Sequence, residues 1–120
     1  MRNKYLISDP CYVFKDEYWD EYVSKILTAE KDKDFKGLID VGGHALFAHY
    51  TQYGDGYYSS SLPGRSFGVD SGTLGCIPVE LCKPAEDIRG EYYEIELEDL
   101  KSSCSYGDGL FTIGSVTIET

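Results

Sequence analysis

The sequence predicts an α+β domain in which a mainly antiparallel, strongly curved β-sheet packs against one amphipathic helix. Three observations support this prediction: about seven short strand patterns lie between tight glycine turns, one helical pattern is present, and no linker or low-complexity tract divides the chain. The 120 residues are also enough to bury a core without a cofactor. We therefore expect a single domain over residues 1–120 that requires no cofactor.

The helical pattern runs from Asp16 to Ala29, where apolar side chains recur at steps of three and four residues. These apolar residues are Trp19, Tyr22, Val23, Ile26 and Leu27. The first turns carry Asp16, Glu17, Asp20 and Glu21, an arrangement that the helix dipole favours. We expect the helix to pack on the sheet through the apolar stripe.

The strands are predicted from short apolar runs and the turns between them. "KYLIS" ends at Asp9-Pro10, where the proline favours an extended Asp9. "GLIDVGGHALFAHYTQ" is typical of two strands that turn at Gly42-Gly43. "FGVDSGTLGCIPVELC" predicts two short strands turning at Ser71-Gly72, followed by a helical turn after Pro78.

The last third of the chain gives the clearest strand patterns. In "EYYEIELED", Tyr93, Ile95 and Leu97 alternate with Tyr92, Glu94, Glu96 and Glu98, which indicates a strand with one solvated face. In "LFTIGSVTIET", Gly114-Ser115 suits a type II′ turn. This turn pairs Ile113 with Val116 and Phe111 with Ile118, and places all four side chains on one face.

Charge excludes some classes of partner. The chain has 21 acidic and 11 basic residues, a formal charge of −10, which opposes binding to nucleic acids and anionic membranes. No apolar run reaches the length of a membrane span, so we expect a cytoplasmic protein. The four cysteines (Cys11, Cys76, Cys82 and Cys104) form no C-x-x-C pair and are predicted to be reduced thiols.

The sequence Tyr-Gly-Asp-Gly occurs twice, in "QYGDGYYSS" and in "SYGDGLFTI". Glycines beside Asp55 and Asp108 permit positive φ, so each turn can aim a carboxylate or its N–H groups at a ligand. The alternative is that Asp-Gly serves only as a tight-turn dipeptide. We interpret the repeat first as a device that bends the sheet at two corresponding places. Convergence of both carboxylates with Asp70 would create a Ca²⁺ or Mg²⁺ site.

The sequence contains no complete pattern for catalysis or for zinc binding. Ser71 lies in "DSG", but as a nucleophile it would need His44 or His49 as a base, and the segment lacks G-x-S-x-G. The two histidines are five residues apart, so they point to opposite faces of a strand and cannot converge locally on zinc. We predict no catalytic residue and no metal site.

The loop "YYSSSLPGRSFG" combines a cation, hydroxyl groups and aromatic rings. This chemistry suits a nucleotide, with Arg65 contacting phosphate and a ring stacking on the base. The predicted ligand-binding residues are Gly54, Asp55, Gly56, Tyr57, Tyr58, Arg65, Phe67, Asp70 and Ser71. The alternative is an ordinary surface loop whose arginine pairs with a nearby acid.

A row of carboxylates offers a different hypothesis. Glu94, Glu96 and Glu98 repeat about every 6.8 Å along one strand face, and the helix adds a second acidic row. Such rows could imitate the phosphates of DNA or could simply form a solvated surface.

Four stretches in order, "YLISDPCYVF", "YGDGYYSSS", "FGVDSGTLGCIPVEL" and "YGDGLFTIGSVTIET", resemble a family of small uncharacterised proteins encoded by bacteriophages and prophages. The resemblance spans most of the chain. It implies a phage-infected bacterial cytosol as the context and assigns no catalytic residue.

In that context the first hypothesis is a non-enzymatic counter-defence protein that sequesters a nucleotide-derived signalling molecule of the host. The alternatives are an acidic, DNA-mimic-like inhibitor of a host defence protein, and a small hydrolase that uses the aspartates of the glycine turns. Strand edges and the 11 tyrosines are also compatible with a homo-oligomer. No nucleic-acid or membrane partner is expected.

Overall fold

The computed structural model describes residues 2–120 and has an α+β fold, as the sequence predicts. Three α-helices occur in this part of the chain: α1 (Pro10–Val13), α2 (Asp16–Glu30) and α3 (Leu100–Ser103). The ten strands are β1 (Asn3–Ser8), β2 (Leu38–Val41), β3 (His44–Tyr50), β4 (Gly56–Ser59), β5 (Ser66–Val69), β6 (Thr73–Pro78), β7 (Tyr92–Leu97), β8 (Cys104–Gly107), β9 (Leu110–Ile113) and β10 (Val116–Glu119).

The strands divide among three antiparallel sheets. The largest has the order β2-β3-β6-β1-β7, a second has the order β10-β9-β8, and β4 pairs with β5. The predicted strong curvature is not found, because these sheets are not strongly curled or closed. The turns that contain Gly54 and Gly72 instead carry the chain from one sheet to another. At Gly72, where φ is +78°, the chain leaves the two-stranded sheet and enters the centre of the five-stranded one.

Alternation along the central strands gives the five-stranded sheet two apolar faces. One face packs on α2 and the other packs on the two smaller sheets. The helix face includes Leu6, Leu46, Ala48 and Ile77, and the opposite face includes Tyr5, Ile7, Phe47, Leu74 and Cys76. The molecule therefore has three layers with the five-stranded sheet in the middle.

Helix α2 begins at Asp16, as predicted, and ends one residue later than predicted. Tyr22 and Ile26 are buried, and Trp19 and Val23 pack beside them, but Leu27 is 51% exposed. The prediction that Leu27 belongs to the apolar stripe of the helix is wrong, because Leu27 lies about 140° around the helix from Tyr22. The buried stripe is therefore narrower than the sequence pattern indicates.

Two predicted hairpins are confirmed. Ile113 pairs with Val116 and Phe111 with Ile118, and all four side chains are buried on one face. Gly114 has φ +59°, the left-handed value that the first position of a type II′ turn needs. In the other hairpin the glycines of the turn both have positive φ, so β2 and β3 pair from Val41 and His44 outward.

The short strands of the segment around Ser71 are also present, as β5 and β6, but they do not pair with each other.

No helix within residues 2–120 combines the length and the apolar character that crossing a membrane requires.

Candidate functional site

Asp9 is fully buried and its carboxylate organises the loops at one end of the five-stranded sheet. The backbone N–H groups of Asp70 and Ser71 donate to Oδ2 at 2.6 and 2.7 Å. The Ser71 hydroxyl donates to Oδ1 at 2.6 Å, and the Cys11 N–H donates to the same oxygen at 2.9 Å. Four donors therefore compensate for the burial of this carboxylate.

The same network continues to helix α2. The Ser71 Oγ lies 2.8 Å from Thr73 Oγ1, which lies 2.9 Å from the hydroxyl of the buried Tyr22. Burial raises the pKa of Tyr22, so this phenol stays protonated and can hydrogen-bond in its neutral form. The chain of contacts joins α1, the β5–β6 turn and α2.

The sequence prediction missed Asp9, although a signal for it was present. Asp9 is the N-cap of α1 and Pro10 stands at the first helical position, a combination that marks a helix start. The extended conformation predicted for Asp9 is confirmed, with φ −64° and ψ 124°.

Asp55 and Asp70 both lie near this network. Gly56 pairs with Val69, so the two aspartates stand beside each other at one end of the β4–β5 hairpin. The Tyr12 hydroxyl donates to Asp70 Oδ2, and this hydrogen bond raises the pKa of Tyr12. Burial, followed by the charge of Asp9, raises the pKa of the Cys11 thiol to about 12, and Asp70 and Asp55 add to this effect.

These carboxylates do not form a metal site. In residues 2–120 no group of three or more His, Cys, Asp or Glu side chains is placed to hold a metal ion. Asp108 lies in the turn between β8 and β9, in a different sheet from β4 and β5.

Ser71 lacks the surroundings of a nucleophile. Its hydroxyl donates to Asp9 and contacts Thr73, and neither contact involves a histidine. The His49 ring stacks on Tyr106 with centroids 4.0 Å apart, and its Nδ1 lies 2.9 Å from the Tyr50 carbonyl oxygen. The role of Ser71 is therefore to hold the turn against Asp9.

The two Tyr-Gly-Asp-Gly segments perform different tasks. The second forms a hairpin turn, in which Asp108 and Gly109 have φ values of +51° and +79°. The first connects β3 of the five-stranded sheet to β4 of the two-stranded sheet. The prediction that both bend one sheet at corresponding places is thus wrong, because only one of them joins paired strands. The segments do adjoin, since Thr120 accepts from the N–H of Gln52 and donates to Gly109.

The aromatic residues of the predicted nucleotide loop do not form a common stacking surface. Phe67 is fully buried in the core, so its predicted contact with a base is wrong. Tyr58 is half-buried, and its hydroxyl donates to the Gly54 carbonyl at 2.7 Å. Tyr57 is 84% exposed and, because side chains alternate along β4, points away from Tyr58.

Arg65 is at the end of the β4–β5 hairpin opposite to Asp55 and Asp70. Its Nη1 donates to the Tyr92 carbonyl at 3.1 Å, and its guanidinium lies 5.5 Å from the centre of the Tyr93 ring. These contacts border a cavity of about 490 Å³ that is lined by Arg65 and by residues 90–94. Arg65 therefore faces strand β7 rather than the predicted tyrosines.

Strand β7 has a free outer edge. It lies at the end of the five-stranded sheet and pairs with β1 alone among the described strands. The backbone groups of successive strand residues point alternately to the two edges. The Glu91 carbonyl accepts from Ser8 of β1, whereas the carbonyls of Tyr92 and Glu96 accept from arginine side chains. Residues 92, 94 and 96 therefore direct their backbone groups outward.

No described strand pairs with the outer edge of β7, although arginine side chains contact its Tyr92 and Glu96 carbonyls. A groove of about 700 Å³ runs beside residues 93–99, and its other wall contains Ser102, Ser103, Gly114 and Ser115. Tyr93 and Glu94 line both this groove and the Arg65 cavity, so the two spaces adjoin. Glu94 and Glu96 are exposed, as the alternation in the sequence predicts, and Ile95 is half-buried on the opposite face.

The acidic strand and the acidic helix lie apart. Helix α2 contacts β2 and β3, whereas β7 is the strand at the other end of the sheet. In the acidic row of α2, the Glu21 carboxylate accepts a hydrogen bond from the Gly42 N–H at 3.2 Å and so holds the β2–β3 turn. Glu94 lies 4.0 Å from Lys4, and Glu98 lies 4.0 Å from Arg2. The carboxylates thus do not form one uniform row of negative charge.

Comparisons with known proteins give no assignment: no family model, no curated protein and no solved structure matches the chain.

Proposed function

We propose that this protein is a non-enzymatic binding protein that engages a basic segment of a partner protein through strand β7. The single observation that carries the proposal is the free edge of this strand, which presents Glu94 and Glu96 beside an open groove. The formal charge of −10 adds long-range attraction to a basic partner. In the bacteriophage context that the resemblance predicts, the partner is a defence protein of the infected bacterium and binding inhibits it.

This proposal develops the acidic-inhibitor hypothesis and departs from DNA mimicry. A DNA mimic would use the strand and helix rows as one surface, but these rows belong to opposite ends of the sheet. Lys4 and Arg2 also interrupt the charge beside β7. A short acidic strand edge suits an extended protein segment better than a broad basic groove.

The proposal is tested by reversing charge on the edge. Glu94→Lys/Glu96→Lys changes the net charge by +4, and so does the control Glu86→Lys/Asp87→Lys in the exposed 3₁₀ turn Ala85–Asp87. We expect a bacterial protein that is captured by the wild type and by the control variant to be lost with the edge variant. Capture should also weaken as salt is raised from about 50 to 300 mM, because exposed charge pairs are screened. Equal capture by both variants, or no capture by the wild type, would overturn the proposal.

Nucleotide binding is the second candidate, and the cavity beside Arg65 is the observation that favours it. Tyr92 and Tyr93 supply rings there and Arg65 supplies a cation. Glu91 and Glu94 line the same cavity, and their carboxylates oppose an anionic ligand. These carboxylates make the cavity less suited to a nucleotide than the edge of β7 is to a basic protein segment.

Thermal unfolding with ADP-ribose and with a cyclic dinucleotide separates the two candidates. A nucleotide at a hundredfold excess over its Kd would stabilise the protein by about 2.7 kcal/mol. We expect no such increase in melting temperature. An increase that Arg65→Gln abolishes would replace the protein-binding proposal with the nucleotide one.

A further inference from the structure

We infer that β7 binds its partner by strand addition: an extended basic segment pairs antiparallel with the free edge and becomes the sixth strand of the sheet. This inference rests on the proposed function and specifies its binding mode. An unpaired edge is a template for another strand, since it offers unused N–H and C=O groups in register. The six residues of β7 extend about 20 Å, enough to pair with a segment of similar length.

The arginine contacts show which backbone groups face the incoming strand. Arg65 donates to the Tyr92 carbonyl at 3.1 Å, and Arg2 donates to the Glu96 carbonyl at 3.3 Å. Both arginines are exposed and can turn away from the edge. Between these two carbonyls lies Glu94, which has the same orientation because it is two residues from each. The edge thus offers three residues to an added strand.

The charge on the edge selects a basic occupant. In an antiparallel pair, residues directly opposite each other have side chains on the same face, and like charges there are destabilising. A second copy of this chain, paired through β7, would bring its own Glu94 and Glu96 against this row. Lysine or arginine opposite these glutamates gains a favourable cross-strand pair instead. The occupant is therefore a segment of another protein and not a second copy.

The other face of the added strand requires a different kind of side chain. Residues that alternate with the basic ones point toward the groove bordered by Ile95, Gly114 and Ser115. The half-buried Ile95 and the small residues on the opposite wall suit a valine or threonine. The predicted segment therefore alternates basic residues with small β-branched ones.

A synthetic peptide of alternating lysine and valine, acetylated and amidated at its ends, tests this mode directly. In antiparallel addition, the residues opposite Glu94 and Glu96 direct their own N–H groups at β7, and these residues are the lysines. Methylation of the lysine backbone nitrogens should weaken binding about tenfold or more, because it removes several interstrand hydrogen bonds. Methylation of the valine nitrogens should change the Kd by less than about threefold, because those groups face solvent.

Calorimetric titration of the full chain with the three peptides tests separately whether β7 binds a basic segment and whether it does so by strand addition. Loss of binding on lysine N-methylation alone supports strand addition. Any other pattern among the methylated peptides overturns it, while charge-dependent binding of the unmethylated peptide keeps the proposed function. An unmethylated peptide that binds Glu94→Lys/Glu96→Lys as tightly as the wild type, or binds neither, overturns both.

Discussion

The buried carboxylate of Asp9 lies 2.6 Å from the Ser71 hydroxyl, although the two residues are 62 positions apart in the chain. Through this contact the end of β1 holds the turn from which the chain enters β6. Both oxygens of the carboxylate accept hydrogen bonds, and these bonds compensate for the loss of water around the buried charge. The arrangement is structural, and it holds the β5–β6 turn, which carries Asp70, against helix α1, which carries Tyr12.

We expect Asp9→Asn to reduce the free energy of unfolding by about 2–4 kcal/mol. The asparagine keeps the shape of the side chain but turns one acceptor into a donor, which then faces the N–H groups of Asp70 and Ser71 or of Cys11. Urea denaturation at neutral pH measures the loss. The control is Asp55→Asn, an exposed site where the change should be within about 0.5 kcal/mol. Equal stability of the two variants would contradict the role given to Asp9.

Gly75 and Gly107 both lie in strands, but they should respond differently to substitution by alanine. A Cβ at Gly75 would lie 2.7 Å from the Phe47 carbonyl oxygen, whereas a Cβ at Gly107 would meet nothing within 4 Å. Gly75→Ala should therefore destabilise the protein by about 1–3 kcal/mol, because the backbone of β3 has to shift. Gly107→Ala should be neutral or stabilising by up to about 1 kcal/mol. Thermal unfolding of both variants tests this difference, and a comparable loss in both would show that β3 and β6 do not approach so closely.

Two adjacent residues of α2 should respond differently to truncation. Ile26 is 4% exposed and Leu27 is 51% exposed. Ile26→Ala should cost about 2–4 kcal/mol through lost burial and the cavity left behind. Leu27→Ala should change the free energy of unfolding by less than about 0.5 kcal/mol. The reverse order in chemical denaturation would mean that another face of the helix packs on the sheet.

We expect the raised pKa values of two cysteines to make the protein less stable at alkaline pH. Burial raises the pKa of both Cys11 and Cys82 to about 12, while thiols in the unfolded chain ionise near pH 8.5. The folded state therefore binds more protons above pH 8.5, and its free energy of unfolding falls as pH rises from about 8.5 toward 12. Below pH 8.5 this contribution is fully present. Urea denaturation under reducing conditions at pH 7.5 and pH 10 should show the decrease.

A matched variant assigns the alkaline effect to the thiols. Cys11→Ala/Cys82→Ala should have a shallower decrease in stability between pH 7.5 and pH 10 than the wild type. The same slope in both proteins would show that other groups, such as the buried Tyr22, cause the change. Alkylation of Cys82 in the native wild type with iodoacetamide at pH 8.5 should also be slow, because this thiol is buried and its pKa is raised to about 12.

Local patterns predicted much of the secondary structure. The pairing of Ile113 with Val116 follows from a two-residue turn and the side-chain period of a strand, and both are properties of a few adjacent residues. The alternation around Ile95 and the start of α2 at Asp16 were predicted for the same reason. Leu27 was misplaced because periodicity gives the apolar side of a helix but not the width of its contact.

The candidate site was less predictable because it depends on distant residues. Phe67 and Arg65 are near neighbours in sequence, yet one is buried in the core and the other donates to the carbonyl of Tyr92. Nothing in the loop sequence distinguishes a ring that packs inward from one that is free to stack on a ligand. The importance of Asp9 likewise becomes visible only when the donors from Ser71 and Asp70 are in place.

The sequence by itself determined the α+β class, the faces of the strands and the position of the main helix, because propensities, turn angles and side-chain periods act over a few residues. Only the tertiary structure decided how the strands divide among three sheets, which carboxylate is buried and that β7 lies at an edge of its sheet. These features depend on pairing between segments that are far apart in the chain, as in the contact of β1 with both β6 and β7. The proposed binding edge exists for that reason: β7 has a neighbour on one side and faces an open groove on the other.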